Sequence, residues 1–262
     1  YMLATISSIL IVTLVGLFDD LNVSSKKVIV KNEKDIRIGL PQWVKPILTL
    51  PAAVPLMVIS AGYSSIGLPF LGIVDLGVIY PLFLIPLGFV VVSNVINMLG
   101  GFNGVEAGMG IVYLLALGLF SLLTHNSVAV LFLIGAMSLI GFIVYNWYPA
   151  KILPGDSLTY LLGALLASGI IVGNMEKLGL ILLIPFIIES ILKLRSKLHA
   201  SSLGKLRSDG KLDPPYGNKI YSLTHLVMNV KPLTERRVTV ILIAFQLIVS
   251  AVGLYLVYFK YV

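Results

Sequence analysis

Five side chains with oxygen ligands stand where long apolar runs meet polar sequence. Asp19 and Asp20 close one run in "LVGLFDDLN", Asn94 and Asn97 lie near the end of another in "NVINMLGGFNGVEAG", and Asp156 opens a third in "LPGDSLTY". Adjacent carboxylates repel each other and stay ionised together only near a cation or in water. Asn94 and Asn97 are three residues apart and share a helix face, and buried amides need partners. Gly100, Gly101, Gly104 and Gly108 let the backbone turn tightly and approach a ligand, and Asn103 and Glu106 sit among them. Plain alternatives exist for each: a solvated helix end for the aspartate pair, an N-cap for Asp156, an ordinary turn for the glycines. Taken together, Asp19, Asp20, Asn97 and Asp156 form a hard-oxygen set from three separate regions. Such a set suits Mg²⁺, with Mn²⁺ as the alternative, and Mg²⁺ usually takes few protein ligands and completes its shell with substrate phosphates. The chain has no cysteine and no histidine pair to suggest zinc.

The elements that carry these residues are membrane spans. The chain is 58% hydrophobic and only 12% charged, against roughly 25% charged in soluble domains. A span needs about 20 mostly apolar residues. Eight stretches approach that length: 2–18, 43–60, 77–97, 108–124, 128–148, 158–174, 178–192 and 238–259. The expected fold is all-α, a polytopic transmembrane helix bundle forming one domain over 1–262, with a long cytoplasmic loop at 193–237. Pro46, Pro51 and Pro55 fall in the second stretch and predict a bent helix. The insert 21–42 alternates like a small hairpin at the membrane surface, and 61–76 reads as an external loop or re-entrant element.

The net charge of +7 follows the positive-inside rule better than it suggests nucleic acid. Strict alternation through eight spans puts every lysine and arginine except Lys177 and Lys260 on the face that holds Asp19, Asp20, Asn97 and Asp156. That face is therefore expected to be cytoplasmic. Tyr145, Trp147 and Tyr148 suit an interfacial aromatic belt. Glu189 either pairs with Lys193 four residues on or lines the same cavity as the aspartates. Arg195, Lys197, His199 and Arg207 either bind substrate or attract anionic lipid.

"GLFDDLN", "NVINMLGGFNGVEAG", "YNWYPAKILPGDSLTYLLG" and "KPLTERR" together resemble the polyprenyl-phosphate N-acetylhexosamine-1-phosphate transferases. The likeness covers essentially the whole chain and is greatest to the eukaryal and archaeal branch, which acts on UDP-N-acetylglucosamine and dolichyl phosphate. It implies transfer of a sugar 1-phosphate to a polyprenyl phosphate with release of UMP, at the cytoplasmic face of a plasma or endoplasmic-reticulum-type membrane. It implies catalytic roles for Asp19, Asp20 and Lys45, the last near the lipid phosphate, and Mg²⁺ held by Asn97 and Asp156. Asn94, Gly101, Asn103, Glu106, Arg195, His199 and Arg207 are the implied substrate contacts, with Asn103 and its glycine neighbours reading uracil and the long loop covering sugar and pyrophosphate. The family's usual ten spans would leave two N-terminal ones outside this sequence. Its basic cluster in the long loop is only partly matched by "KLRSKLHASSLGKLR", and a histidine-rich run like that of the bacterial muramoyl-pentapeptide branch is missing. Another UDP-N-acetylhexosamine, undecaprenyl phosphate as carrier, and a homodimer stay open. A secondary transporter would also explain carboxylates in spans, but predicts them near the midplane rather than at span ends.

Overall fold

A computed structural model describes residues 1–22, 24–26, 36–38, 40–68 and 72–261. Its helices are α1 (Met2–Leu21), α2 (Val44–Thr49), α3 (Val54–Val58), α4 (Ile85–Met98), α5 (Val105–Leu123), α6 (Ala129–Asn146), α7 (Gly155–Gly173), α8 (Glu176–Leu182), α9 (Ile184–Arg195), α10 (Leu223–Val230) and α11 (Glu235–Tyr261). Three antiparallel strand pairs sit between them: β1 (Ser24–Lys26) with β2 (Ile36–Ile38), β3 (Ser65–Leu68) with β4 (Gly72–Asp75), and β5 (Lys205–Leu206) with β6 (Leu212–Asp213). The all-α membrane bundle expected from the sequence is the observed architecture.

Six helices are long and apolar enough to cross a bilayer among the described residues: α1, α4 with the π-helical turn Tyr80–Leu84 before it, α5, α6, α7 and α11. The other two expected spans are broken, and proline explains both. In the second, Pro51 and Pro55 each remove an amide donor, and a 3₁₀ turn at Leu50–Ala53 separates α2 from α3. In the seventh, Pro185 stands at the start of α9, and the chain breaks at Leu183. Gln246 reaches across from α11 to donate to the Leu182 carbonyl at that break, 3.1 Å away. Neighbouring side chains commonly satisfy backbone freed by proline in this way.

The insert expected to be a surface hairpin pairs Ser24 with Ile38 and Lys26 with Ile36; residues 27–35 of that expectation lie outside the described residues. The segment 61–76, expected as a loop, contains the β3–β4 pair, with 69–71 likewise outside. Asp75 closes its open end by accepting from Ser64 Oγ at 2.6 Å and from Gly77 N at 3.0 Å.

Helix α7 is the common wall of two apolar cores. Leu162, Leu165, Leu166 and Ile170 pack toward α5, α6, α8 and α9. Tyr160, Ala164, Ala167 and Ile171 pack toward α1, α3 and α4. Small residues make this possible, since helices in lipid gain from close backbone approach. A methyl group at Gly163 would lie 2.6 Å from Ser93 Cα in α4, and one at Gly16 of α1 would lie 2.6 Å from the Asp156 carbonyl oxygen. The outer faces of α6 and α11 carry exposed Ile134, Val144, Leu247 and Ile248, as a lipid-facing surface requires. Packing α1 and α4 so closely on α7 brings the C-terminal ends of α1 and α4 against the N-terminal end of α7.

Candidate active site

At that end of the bundle Lys45 forms the centre. Its ammonium lies 2.6 Å from Asp19 Oδ2 and 2.6 Å from Asp156 Oδ2, with its side chain only 8% exposed. One cation thus balances two carboxylates from two helices, and the Tyr160 ring lies 6.0 Å beyond it. Asp19 Oδ1 also accepts from Leu40 N, which ties the start of the α2 approach to the end of α1. Asn97 completes the group. Its Nδ2 is 3.4 Å from Asp156 Oδ2, and its Oδ1 accepts from Thr159 Oγ1 at 2.6 Å.

The adjacent aspartates part company. Asp20 turns to the first turn of α7, accepting from Asp156 N at 2.8 Å, Ser157 N at 2.9 Å and the Ser157 hydroxyl. It caps α7 from another helix, satisfying amides that have no partner inside their own helix. Gly155 makes this contact possible: its φ is +64°, and a Cβ there would lie 2.6 Å from Asp20 Oδ2. Asp20 is thus placed to position Asp156, while Asp19 is placed to hold Lys45.

A cleft of about 450 Å³ opens beside this cluster. It is lined by Asn97, Gly101, Asn103, Glu106 and Asp156, all expected from the sequence, and also by Lys193. Its glycine-rich wall is braced from behind. Asn103 N donates to Glu235 Oε1 at 2.8 Å, and its carbonyl accepts from Thr239 Oγ1 at 3.1 Å. Gly104 N donates to Asn146 Oδ1 at 3.1 Å, and Gly101 N donates to Glu106 Oε1 at 2.9 Å. The other Glu106 oxygen, Oε2, is buried without a hydrogen-bond partner. Asn146 and Glu235 were not singled out in the sequence, although both lie inside the segments that carry the family resemblance. An amide at the end of an apolar run was the available signal for Asn146.

Four of the expected substrate contacts lie away from the cleft wall. Asn94 is buried one turn behind Asn97, donating to Thr49 Oγ1 at 3.1 Å and accepting from the Tyr160 hydroxyl at 3.1 Å. It braces α2, α4 and α7. Arg195 and His199 line a separate cavity of about 350 Å³ with Tyr216 and Tyr221. Arg207 sits at the β5–β6 pair, ion-paired with Asp209 at 3.4 Å and Asp213 at 3.3 Å. Glu189, left between two roles by the sequence, is fully buried and 3.9 Å from Lys193.

No group of three or more His, Asp or Glu side chains sits close enough to hold a metal ion among the described residues. Asp156 and Asn97 offer one carboxylate and one amide at the cleft wall, a donor set that fits Mg²⁺ with most of its shell supplied by phosphates and water.

The family model described as glycosyl transferase family 4 matches residues 2–174. The chain belongs to glycosyl transferase family 4. The matched region contains α1 through α7, hence Asp19, Asp20, Lys45, Asn97 and Asp156. A Saccharolobus solfataricus protein, provisionally named UDP-N-acetylglucosamine–dolichyl-phosphate N-acetylglucosaminephosphotransferase, is 37% identical over 257 residues, covering 97% of this chain and 74% of that protein. The Dictyostelium discoideum enzyme with the same name is 28% identical over 249 residues, covering 80% of this chain and 60% of the relative. The phospho-N-acetylmuramoyl-pentapeptide-transferase of Staphylococcus carnosus is 29% identical over 173 residues, covering 62% of this chain and 50% of the relative. Membership of glycosyl transferase family 4 makes this multi-pass membrane protein an enzyme of glycosyl 1-phosphate transfer.

Proposed function

We propose that the chain transfers N-acetylglucosamine 1-phosphate from UDP-N-acetylglucosamine to a polyprenyl phosphate of the dolichyl type, releasing UMP, at the cytoplasmic face of the membrane. The observation that carries this reading is Lys45 held between Asp19 and Asp156 at 2.6 Å from each, with Asn97 and Asp156 lining the adjacent cleft. Relatives at 37% and 28% identity named for this activity support it.

An oxygen of the lipid phosphate attacks the β-phosphorus of the donor. The new P–O bond forms as the bond from the β-phosphorus to the bridging oxygen breaks, and UMP leaves with that oxygen. A phosphate monoester is largely ionised near neutral pH, because its second pKa is about 6, so no obligatory base is needed. Catalysis is then mostly positioning and charge stabilisation. Asp156 and Asn97 would hold Mg²⁺, which when bound neutralises pyrophosphate charge as a Lewis acid. Lys45 offers its ammonium to the lipid phosphate, and Asp19 fixes that ammonium in place. Asp20 holds the first turn of α7 so that Asp156 meets the donor at a set height. The braced loop of Gly101 and Asn103 receives the uracil ring.

The test is radiolabelled UDP-N-acetylglucosamine with the protein in vesicles and polyprenyl phosphate. The expected result is label in the lipid phase with release of UMP, abolished in Asp156→Ala and in Asn97→Ala. Wild-type turnover in both variants would reject the site. Label entering the vesicles unchanged would reject transfer in favour of transport.

A further inference from the structure

Among the described residues Lys193 is the one cation lining the cleft, with Glu106 and Asp156 as its acidic side chains. It comes from the last turn of α9, the helix that also carries Glu189 and Arg195. Its side chain is 14% exposed, and its ammonium donates to the Ala200 carbonyl at 3.2 Å. Glu189 Oε1 lies 3.9 Å away, close enough to supply counter-charge but beyond hydrogen-bond reach. An ammonium has three donors, and Ala200 takes one.

Glu189 is not free to close on this lysine. Its oxygens are taken by Leu223 N at 2.7 Å, Ser222 Oγ at 3.0 Å and Ser202 Oγ at 3.4 Å. Ser202 itself lines the cleft, and its carbonyl accepts from Thr224 Oγ1 at 2.6 Å. One buried carboxylate therefore sets both the height of the Lys193 ammonium and the position of the Ser201–Leu203 wall. The ammonium is thus bonded to the Ala200 carbonyl and sits 3.9 Å from the carboxylate, on a residue that lines the cleft.

We infer that Lys193 is a substrate-binding residue that contacts the diphosphate of the donor. A diphosphate brings negative charge into a cleft whose own wall presents two carboxylates, and Lys193 supplies the cation that offsets this from the α9 side. The inference rests on the proposed function for the identity of the donor, but the anion contact can be read without turnover.

The experiment uses the full chain in nanodiscs with Lys193→Met and Lys193→Arg, measuring equilibrium binding of UDP and of uridine beside UMP release. Lys193→Met is expected to weaken UDP binding about 10-fold, the scale of losing a charged hydrogen bond, and to leave uridine binding unchanged. It raises KM for the UDP-sugar more than it lowers kcat, and Lys193→Arg restores most of the loss. Equal weakening of UDP and uridine, with no rescue by arginine, would reduce Lys193 to a wall residue and overturn the inference, as would unchanged UDP binding in Lys193→Met or no UDP binding by the wild type. Selective loss of UDP binding in a protein that releases no UMP would leave Lys193 standing and sink the transfer reading. Normal wild-type turnover with unchanged KM in Lys193→Met would do the reverse.

Discussion

Lys45 is a mostly buried cation whose two partners, Asp19 and Asp156, belong to different helices. Removing one member of such a group leaves uncompensated charge and typically costs about 3–5 kcal/mol. Lys45→Met is therefore expected to abolish UMP release and to lower the thermal midpoint in detergent. The double variant Lys45→Met with Asp19→Asn removes one of the two stranded charges, leaving Asp156, and should recover part of the midpoint but none of the activity. Recovery of turnover in the double variant would make Lys45 a counter-ion only. At this scale the sequence was informative about residue types and less so about roles. Asp19 and Asp20 are neighbours in the chain, yet successive helix positions point in different directions. One therefore meets Lys45 and the other caps α7. No spacing rule could assign which aspartate does which.

At the scale of elements, the site depends on where α7 begins. Gly155 has a φ of +64° and faces the Asp20 carboxylate. Gly155→Ala adds a left-handed penalty of about 1–2 kcal/mol and pushes Asp20 away from the amides it caps. Because small misplacements cost up to about 100-fold in rate, UMP release should fall by at least about 10-fold, beyond what the stability loss explains. Gly210→Ala is the control: its φ is +76°, but nothing lies within 4 Å of its added Cβ, so activity should be kept. Equal activity loss in both variants would remove the special role of the α7 start. The apolar runs of α1, α4, α5, α6, α7 and α11 were legible from composition alone, because lipid demands length and hydrophobicity. The breaks at Leu50–Ala53 and Leu183 were legible only as prolines. Whether a proline bends or divides a span depends on partners such as Gln246, which lies 64 residues away from the carbonyl it satisfies.

The whole molecule joins a membrane bundle to a polar segment, 196–222, that is docked through Glu189 and α10. His225 in α10 is fully buried, its Nδ1 accepting from Tyr221 N at 3.3 Å and its ring meeting Tyr216 edge-on at 5.5 Å. Burial holds its pKa below the ordinary 6.5, and the Lys193 charge adds to this. The unfolded segment then binds the proton more readily than the docked one, so the docking contribution is full above about pH 6.5 and is lost as pH falls through the folded value. Hydrogen exchange of residues 201–223 should accelerate on acidification in the wild type. It should do so less in His225→Asn, which keeps an acceptor and does not titrate; an equal pH response in that variant would place the proton elsewhere. What the sequence alone determined was the membrane class, six of the eight expected spans and the family, because hydrophobic length, charge asymmetry and ordered motifs are local properties read along the chain. The tertiary structure decided that Lys45 bridges Asp19 and Asp156, that Asn94 braces helices, that Arg207 pairs within its own hairpin, and that Lys193 reaches the cleft. The first two are contacts between helices, and they follow from how closely small residues let α1 and α4 pack on α7; the last two follow from the fold of the β5–β6 hairpin and the course of α9.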